Sequence, residues 1–451
     1  MAWRTRQLGA VLRGDGGNGR NGGATIVPFP GTLGWTPTFT IVESSGVHSI
    51  GGFDFDALKP TPVYNYYVSP TGSAVASPAD NDPLTPITAR RFVTLANANG
   101  GVVRGYCAGG KYWGNLGPDG NNLTGAGVVL EPWVGQGTGR PIFIKRSANV
   151  APVWTLTAGN TYQTPFTAAS IPCYDASVTD AGGCYQRLVD VGSQAACEAT
   201  PGTYFYNGST TMFCHATDGR NLIGDTNIIL GTGATNFNFT GAINKTLWMS
   251  GIDCFGPFVV TQSGVGMLTQ FYNRDCGFYG IGSAGLLVTG PSEIYSLSPR
   301  EGGGNSDSLN YHGNAQGDPK YLEYDVRSIR SGYDAAGINN NSTAHENAIG
   351  ICVAGDYAGS QNRVVNDISA AKRFMVGCTV RASLAADATA ITISAGISGA
   401  ATVHMWLYGC TVENSATAAL YADSGCTINY TNMSIAGLTT AGSGTIAAYT
   451  P

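Results

Sequence analysis

The chain is written in short runs that alternate apolar and polar residues, the period of two expected of half-buried strands. One phrase returns three times, as Gly377-Cys378-Thr379-Val380, Gly409-Cys410-Thr411-Val412 and Gly425-Cys426-Thr427-Ile428. The starts lie 32 and 16 residues apart. A looser form, Ile252-Asp253-Cys254 and Arg274-Asp275-Cys276, recurs after 22 residues. Recurrence at coil-sized intervals predicts a β-solenoid in which each rung returns the same small residue to one interior stack. Asp253 and Asp275 then fall at equivalent positions, either as turn residues or as a carboxylate pair able to bind calcium. Helical periodicity is scarce, and residues 92–98 are its clearest instance.

Composition supports stacked strands and turns. Only 12% of the 451 residues are charged, while Gly alone accounts for 64. An apolar share of 43% is enough to fill a large core, so disorder is excluded. Ser, Thr, Asn and Gly replace the missing charge, and Asn and Gly suit corners with positive φ. A net charge of −5 argues against nucleic acid as a partner. No basic start is followed by an apolar secretory core, and no apolar run is long enough to span a membrane. Eleven cysteines, an odd number without CxxC or Cys/His spacing, read as buried thiols. Neither a metal nor a cofactor is expected.

Five regions follow from the text. Residues 1–60 are turn-rich and read as an attachment or capping module. Residues 61–146 open the repeat, 147–225 interrupt it with a hairpin around Asn207-Gly208, 226–435 form its core, and 436–451 are an uncharged tail. No charge occurs from Ser424 to Pro451, so burial of that segment against sister chains is expected.

The opening of the repeat carries a resemblance. It contains Tyr66-Tyr67-Val68-Ser69-Pro70-Thr71-Gly72-Ser73, a Pro-rich turn at 81–86 and the helical run 92–98. A Gly-Lys-Tyr-Trp turn at 110–113 and Gly139-Arg140-Pro141-Ile142-Phe143-Ile144-Lys145 follow. This order resembles the start of pectate-lyase-like right-handed parallel β-helix proteins, and the whole resembles bacteriophage tailspikes and tail fibres. The resemblance implies an all-β, right-handed parallel β-helix with a short N-terminal capping helix and a small antiparallel insertion. It also implies a homotrimer on a virion, made in the host cytoplasm and docked to other virion proteins through residues 1–60.

Chemistry is expected in one segment. Residues 300–347 hold 11 of the 53 Asp, Glu, Lys and Arg residues, together with two of the five histidines. Hydrolysis of a polysaccharide needs one protonated and one ionised carboxyl, which Asp307, Asp334 and Glu346 can supply. Elimination from a uronate needs a base and a group that neutralises its carboxylate; His312, His345, Tyr311 and Arg300 suit that chemistry. Asn340 and Asn341 complete the set as saccharide contacts. The alternative is structural, since Asn and Asp ladders stabilise solenoid turns and a His beside a Tyr is a common bonded pair. The pectin-cleaving Asn-Thr-Asp and Gly-His-Gly patterns are absent. Trp113, Tyr112, Trp133, Trp154, Tyr204 and Tyr206 are candidates for sugar stacking, with core packing the expectation for most. The function expected is binding of a host surface polysaccharide, with depolymerisation as its further step. A non-catalytic receptor-binding or structural fibre and a bacterial polysaccharide lyase stand as alternatives.

Overall fold

A computed structural model describes residues 24–74, 82–114, 122–145, 151–167, 173–231, 237–281, 284–302, 306–329, 331, 339–381, 389–394 and 402–451. From Phe237 onward each strand pairs in parallel with its counterpart one coil later, and the strands sort into three faces. Face one begins with Phe237–Gly241 and Phe258–Gln262 and ends with Ala418–Ala422 and Thr440–Ala441. Face two runs from Lys245–Ser250 through His404–Tyr408 and Thr427–Thr431 to Thr445–Ala448. Face three runs from Asp253–Phe255 to Thr411–Val412. The long parallel sheets are compatible with a parallel β-helix. Three strands of the opening region, Tyr64–Ser73, Val102–Trp113 and Gly127–Ile144, extend faces two and three in parallel register. The helix Ala89–Ala98, capped by the Thr88 hydroxyl, buries Phe92, Val93 and Ala96 in the same core.

The turn from face two to face three explains the recurring phrase. Gly251, Asp275, Ser298, Asp325, Ala354, Gly377, Gly409 and Asn432 take the same rung position, each with φ between 48° and 68°. Each turns the chain from face two toward face three in one left-handed step, a conformation that glycine accepts without steric cost. In the seven from Gly251 to Gly409 the N–H donates to the carbonyl closing face two on the next rung, as from Gly377 to Tyr408 at 2.8 Å and from Asp325 to Val353 at 2.9 Å. The following residue points inward and the one after starts face three, which is the order Gly-Cys-Thr. Thr379 pairs with Thr411, so Cys378 and Cys410 share a column. The third copy does not. Thr427 pairs with His404 at the start of face two, so Cys426 belongs to a different corner, the one that leads into face two.

Asp253 and Asp275 are likewise not equivalent. Asp253 pairs with Gly277, which puts Asp275 opposite Gly251, two residues earlier in the rung. All eleven cysteines are buried free thiols.

Two layers of the same chain lie against the coils. An antiparallel sheet of Thr25–Val27, Thr40–Ser44 and Val47–Gly51, with its continuation to Leu58, packs on the outside of face two. There the outward residues of successive rungs form one apolar column: Trp248, Tyr272, Tyr295, Leu322, Ile351, Phe374 and Trp406. Phe39 and Phe53 set their ring edges against Tyr295, and the Trp248 indole N–H donates to the Phe55 carbonyl at 3.2 Å. Residues 151–167 and 173–231 form the second layer, which contains a five-stranded sheet. Its hairpin turns at Asn207-Gly208, with Thr203–Tyr206 antiparallel to Thr211–His215. Tyr174 and Tyr185 of this layer pack on Phe255 and Tyr279 of face three. The uncharged C-terminal segment builds the last rungs of faces one and two.

Candidate functional site

The register of face one brings two of the five expected catalytic residues into one column. Thr240, Thr261, Thr289 and His312 pair in sequence, and His345 follows Ala344, the partner of Tyr311. The His345 N–H donates to the Tyr311 carbonyl at 2.9 Å. Rungs about 4.8 Å apart put side chains of one column in contact. The two imidazoles accordingly stack with centroids 3.9 Å apart and 17° between planes. Glu346 comes next, at the corner from face one to face two, with φ of 53° where the following rung has Ser369 at 68°. That turn carries its carboxylate back over the column: Oε2 accepts from the Gly313 N–H at 2.9 Å and lies 3.4 Å from His312 Nδ1. The side chains of His312 and Glu346 are 31% and 44% exposed, so the group reaches solvent.

Burial disfavours the imidazolium and leaves His312 below its ordinary value, although the Glu346 carboxylate pulls the other way. Burial, reinforced by His312, pushes His345 down to about 4. Both shifts favour the neutral imidazole. Among the described residues, His312, His345 and Glu346 are the one group of three His, Cys, Asp or Glu whose donor atoms all lie within 4.8 Å.

The other expected site residues lie elsewhere. Asp307 precedes the strand that His312 ends, five residues earlier, which is roughly 16 Å of extended chain. Retaining and inverting glycosidases hold their carboxyls about 5 to 9.5 Å apart. Asp307 and Glu346 thus do not form such a pair. Asp307 is 6% exposed and accepts from the Asn340 N–H and side-chain amide at 2.7 and 3.0 Å. Burial raises it to about 6 against those hydrogen bonds. Asp334 lies outside the described residues.

Tyr311 points into the interior, where its ring stacks on Tyr321 at 3.7 Å. Asn341 is also buried, its amide donating to the carbonyls of Ser328 and Ala358 at 2.6 and 2.8 Å, and so ties two rungs of face three together. Neither is placed to touch a saccharide. Arg300 is occupied as well: it binds Asp253 at 2.8 Å and Asp275 at 3.3 Å beside Arg140. Burial would raise the Asp253 carboxyl, but Arg140, Arg300 and the Tyr185 hydroxyl outweigh it and hold it low. The two aspartates serve an arginine cluster, and the calcium alternative is not met.

Sequence reasoning missed one group altogether and two members, Tyr67 and Tyr106, of another that includes the expected Trp133. Glu301, Glu323, Asp367 and Arg373 lie inside the coil, fully buried. Glu323 receives the Tyr357 hydroxyl, and Arg373 pairs with Asp367 at 2.7 Å. Both carboxylate oxygens of Glu301 lack a partner in the described structure. The second group is a surface row. Tyr67 and Tyr106, paired in register, stack at 5.3 Å, and Trp133 meets Tyr67 at 4.8 Å. All three are half-buried, and Trp133 helps to line a cavity of about 390 Å³ with Ser69, Thr71, Gln136 and Thr138. The alternation in Tyr66-Tyr67-Val68 signals that Tyr67 faces outward, since Tyr66 and Val68 are buried. Of the aromatics named from sequence, Tyr112, Trp154 and Tyr204 are core, whereas Trp133 is not.

No protein-family model matches the chain, and no curated protein sequence matches it. Two solved structures share features of its shape. One is described as a glycoside hydrolase, with 8% identity and a TM-score of 0.40 over 86% of this chain and 96% of that one. The other is described as the complex structure of XylC with xylose, with 9% identity and a TM-score of 0.34 over 81% of this chain and 65% of that one. Likeness at this level assigns no activity. Among the described residues, no helix is long and apolar enough to cross a membrane.

Proposed function

We propose that the chain is a right-handed parallel β-helix protein of the tailspike kind that binds a cell-surface polysaccharide. In this reading the helix Ala89–Ala98 caps the stack and residues 147–225 are an inserted antiparallel module. The observation that carries binding is the row Tyr67, Tyr106 and Trp133 beside a cavity whose lining sets the hydroxyls of Ser69, Thr71 and Thr138 and the amide of Gln136 among prolines and glycines. Aromatic faces receive the apolar faces of sugars, and a few fixed polar groups set orientation. Assembly as a homotrimer on a virion, joined to other virion proteins through residues 1–60, belongs to the same proposal.

The same proposal places bond cleavage, as a further step, at His312, His345 and Glu346. His312 and His345 offer the base that elimination from a uronate needs, and the carboxyl pair for hydrolysis is not assembled. The cation that would neutralise the uronate lies outside this group, since Arg300 is held by Asp253 and Asp275.

The test is incubation of the intact protein with capsular polysaccharide and with lipopolysaccharide, read by size-exclusion chromatography and by the ultraviolet absorbance of unsaturated products. Co-elution of polymer with protein that is lost in Trp133→Ala is the expected result. Shortened chains with new absorbance, abolished in Glu346→Gln, identify elimination. Polymer retained intact makes the protein a binding spike. A protein that neither retains nor shortens any of the polymers refutes the proposal.

A further inference from the structure

We propose that His312, His345 and Glu346 bind a divalent transition metal of the zinc type. The three groups offer two imidazole nitrogens and one carboxylate oxygen, a donor set that suits borderline metals and leaves a coordination position open. Their donor atoms already lie within 4.8 Å of one another. The 3.4 Å between His312 Nδ1 and Glu346 Oε2 is long for a hydrogen bond. It matches two donors held about 2.1 Å from one ion at a tetrahedral angle, which stand about 3.4 Å apart.

The backbone prepares the group without the ion. His312 and His345 are fixed on adjacent rungs by parallel pairing, and Glu346 is turned back by its left-handed corner. The Gly313 N–H already orients Oε2 at 2.9 Å, as outer-sphere donors do for ligating carboxylates. The rings now stack face to face, so capture of an ion requires them to fan apart by rotation about χ2. That motion is open to half-buried side chains beside a corner that reaches solvent. No local spacing announces the site, because the two histidines are 33 residues apart and meet only through the rung repeat.

Zn²⁺ titration of the metal-free intact chain by calorimetry tests the proposal, with Co²⁺ absorption as a spectroscopic check of imidazole coordination. One ion per chain is expected, with affinity at least about tenfold weaker in His345→Ala and in Glu346→Gln. Zn²⁺ should raise the thermal midpoint of the parent chain more than that of the variants at the same concentration. His404→Ala, which alters a histidine on face two, should bind like the parent and controls for adventitious sites. Absence of binding, or binding that survives both site variants, overturns the proposal. Metal binding is independent of polymer binding through Trp133, so a chain that holds polymer and ignores Zn²⁺ refutes only the metal site. It is exclusive with the imidazoles acting as the base of elimination, because a nitrogen that holds the ion cannot accept a proton.

Discussion

The imidazole of His48 occupies the space where Gly377 would carry a β-carbon. An added Cβ at Gly377 would overlap Nδ1, and one at Gly409 would come within 3.1 Å of the same ring. Gly377 therefore meets two demands, the left-handed corner of its rung and the seat for the N-terminal layer. Gly425, with φ of 80°, has nothing within 4 Å of an added Cβ. Gly377→Ala should cost about 2 to 4 kcal/mol, combining the corner strain with overpacking, and Gly425→Ala about 1 to 2 kcal/mol. Chemical denaturation of the two variants checks the difference, and equal losses would remove His48 from the account.

The N-terminal layer should behave as part of the core of the stacked parallel sheets. Phe39 is 2% exposed and sits among Phe29, Trp35, Phe53 and Tyr295. Phe39→Ala should lose about 3 to 5 kcal/mol, as for a central core aromatic. Deleting the layer to residue 58 should bare the column from Trp248 to Trp406 and yield aggregated protein. A deletion that stays monodisperse by light scattering, with unchanged melting, would refute this.

Glu301 links stability to pH. Burial, with the nearby Glu323 as a lesser cause, raises its carboxyl well above the ordinary value. The folded chain thus holds this proton more tightly than the unfolded chain, whose glutamate titrates near about 4.3. The resulting stabilisation is complete below that pH and is lost as pH rises toward the folded value, with a slope on the order of 1 kcal/mol per unit. Glu301→Gln removes the proton and the penalty together. Its advantage over the parent chain should grow as pH rises above about 4.3. Unfolding midpoints that run parallel across pH would contradict it.

The Asp367–Arg373 pair is fully buried on both sides. Arg373 also donates to the Ser342 hydroxyl at 2.8 Å. Removing the charge of one partner leaves the other unpaired in the core, so Asp367→Asn should cost about 3 to 5 kcal/mol. Asp367→Leu combined with Arg373→Met should recover most of that loss. A double variant as unstable as the single one would show that the network, rather than the isolated charge, sets the energy.

The local alphabet of the fold was legible in the chain. Alternation marked the strands, Asn207-Gly208 marked a hairpin, and Gly377-Cys378-Thr379 marked a corner, an inward residue and a strand start. Each is a property of neighbours, set by the pleat and by φ. What stacks on what was not legible. Gly425-Cys426-Thr427 repeats the phrase at another corner because any turn into a strand rewards the same order.

The site divides in the same way. His312, His345 and Glu346 stood out as unusual residues in a chain poor in charge, and the rung register joins them. Asp307 belongs to the same segment yet lies at the far end of its strand, and Arg300 is spent on Asp253 and Asp275 from other rungs. Charge density alone could not tell the outward Arg300 from its inward neighbour Glu301, because facing is settled by pairing.

The sequence by itself determined the strand period, the residue types at the corners and the segment in which reactive side chains gather. Tertiary structure decided which corners align, which charges turn inward and which imidazoles touch. The physical reason is range: alternation and turn chemistry act over a few residues. Register acts across a whole coil, through hydrogen bonds whose partners depend on the length of every loop between them.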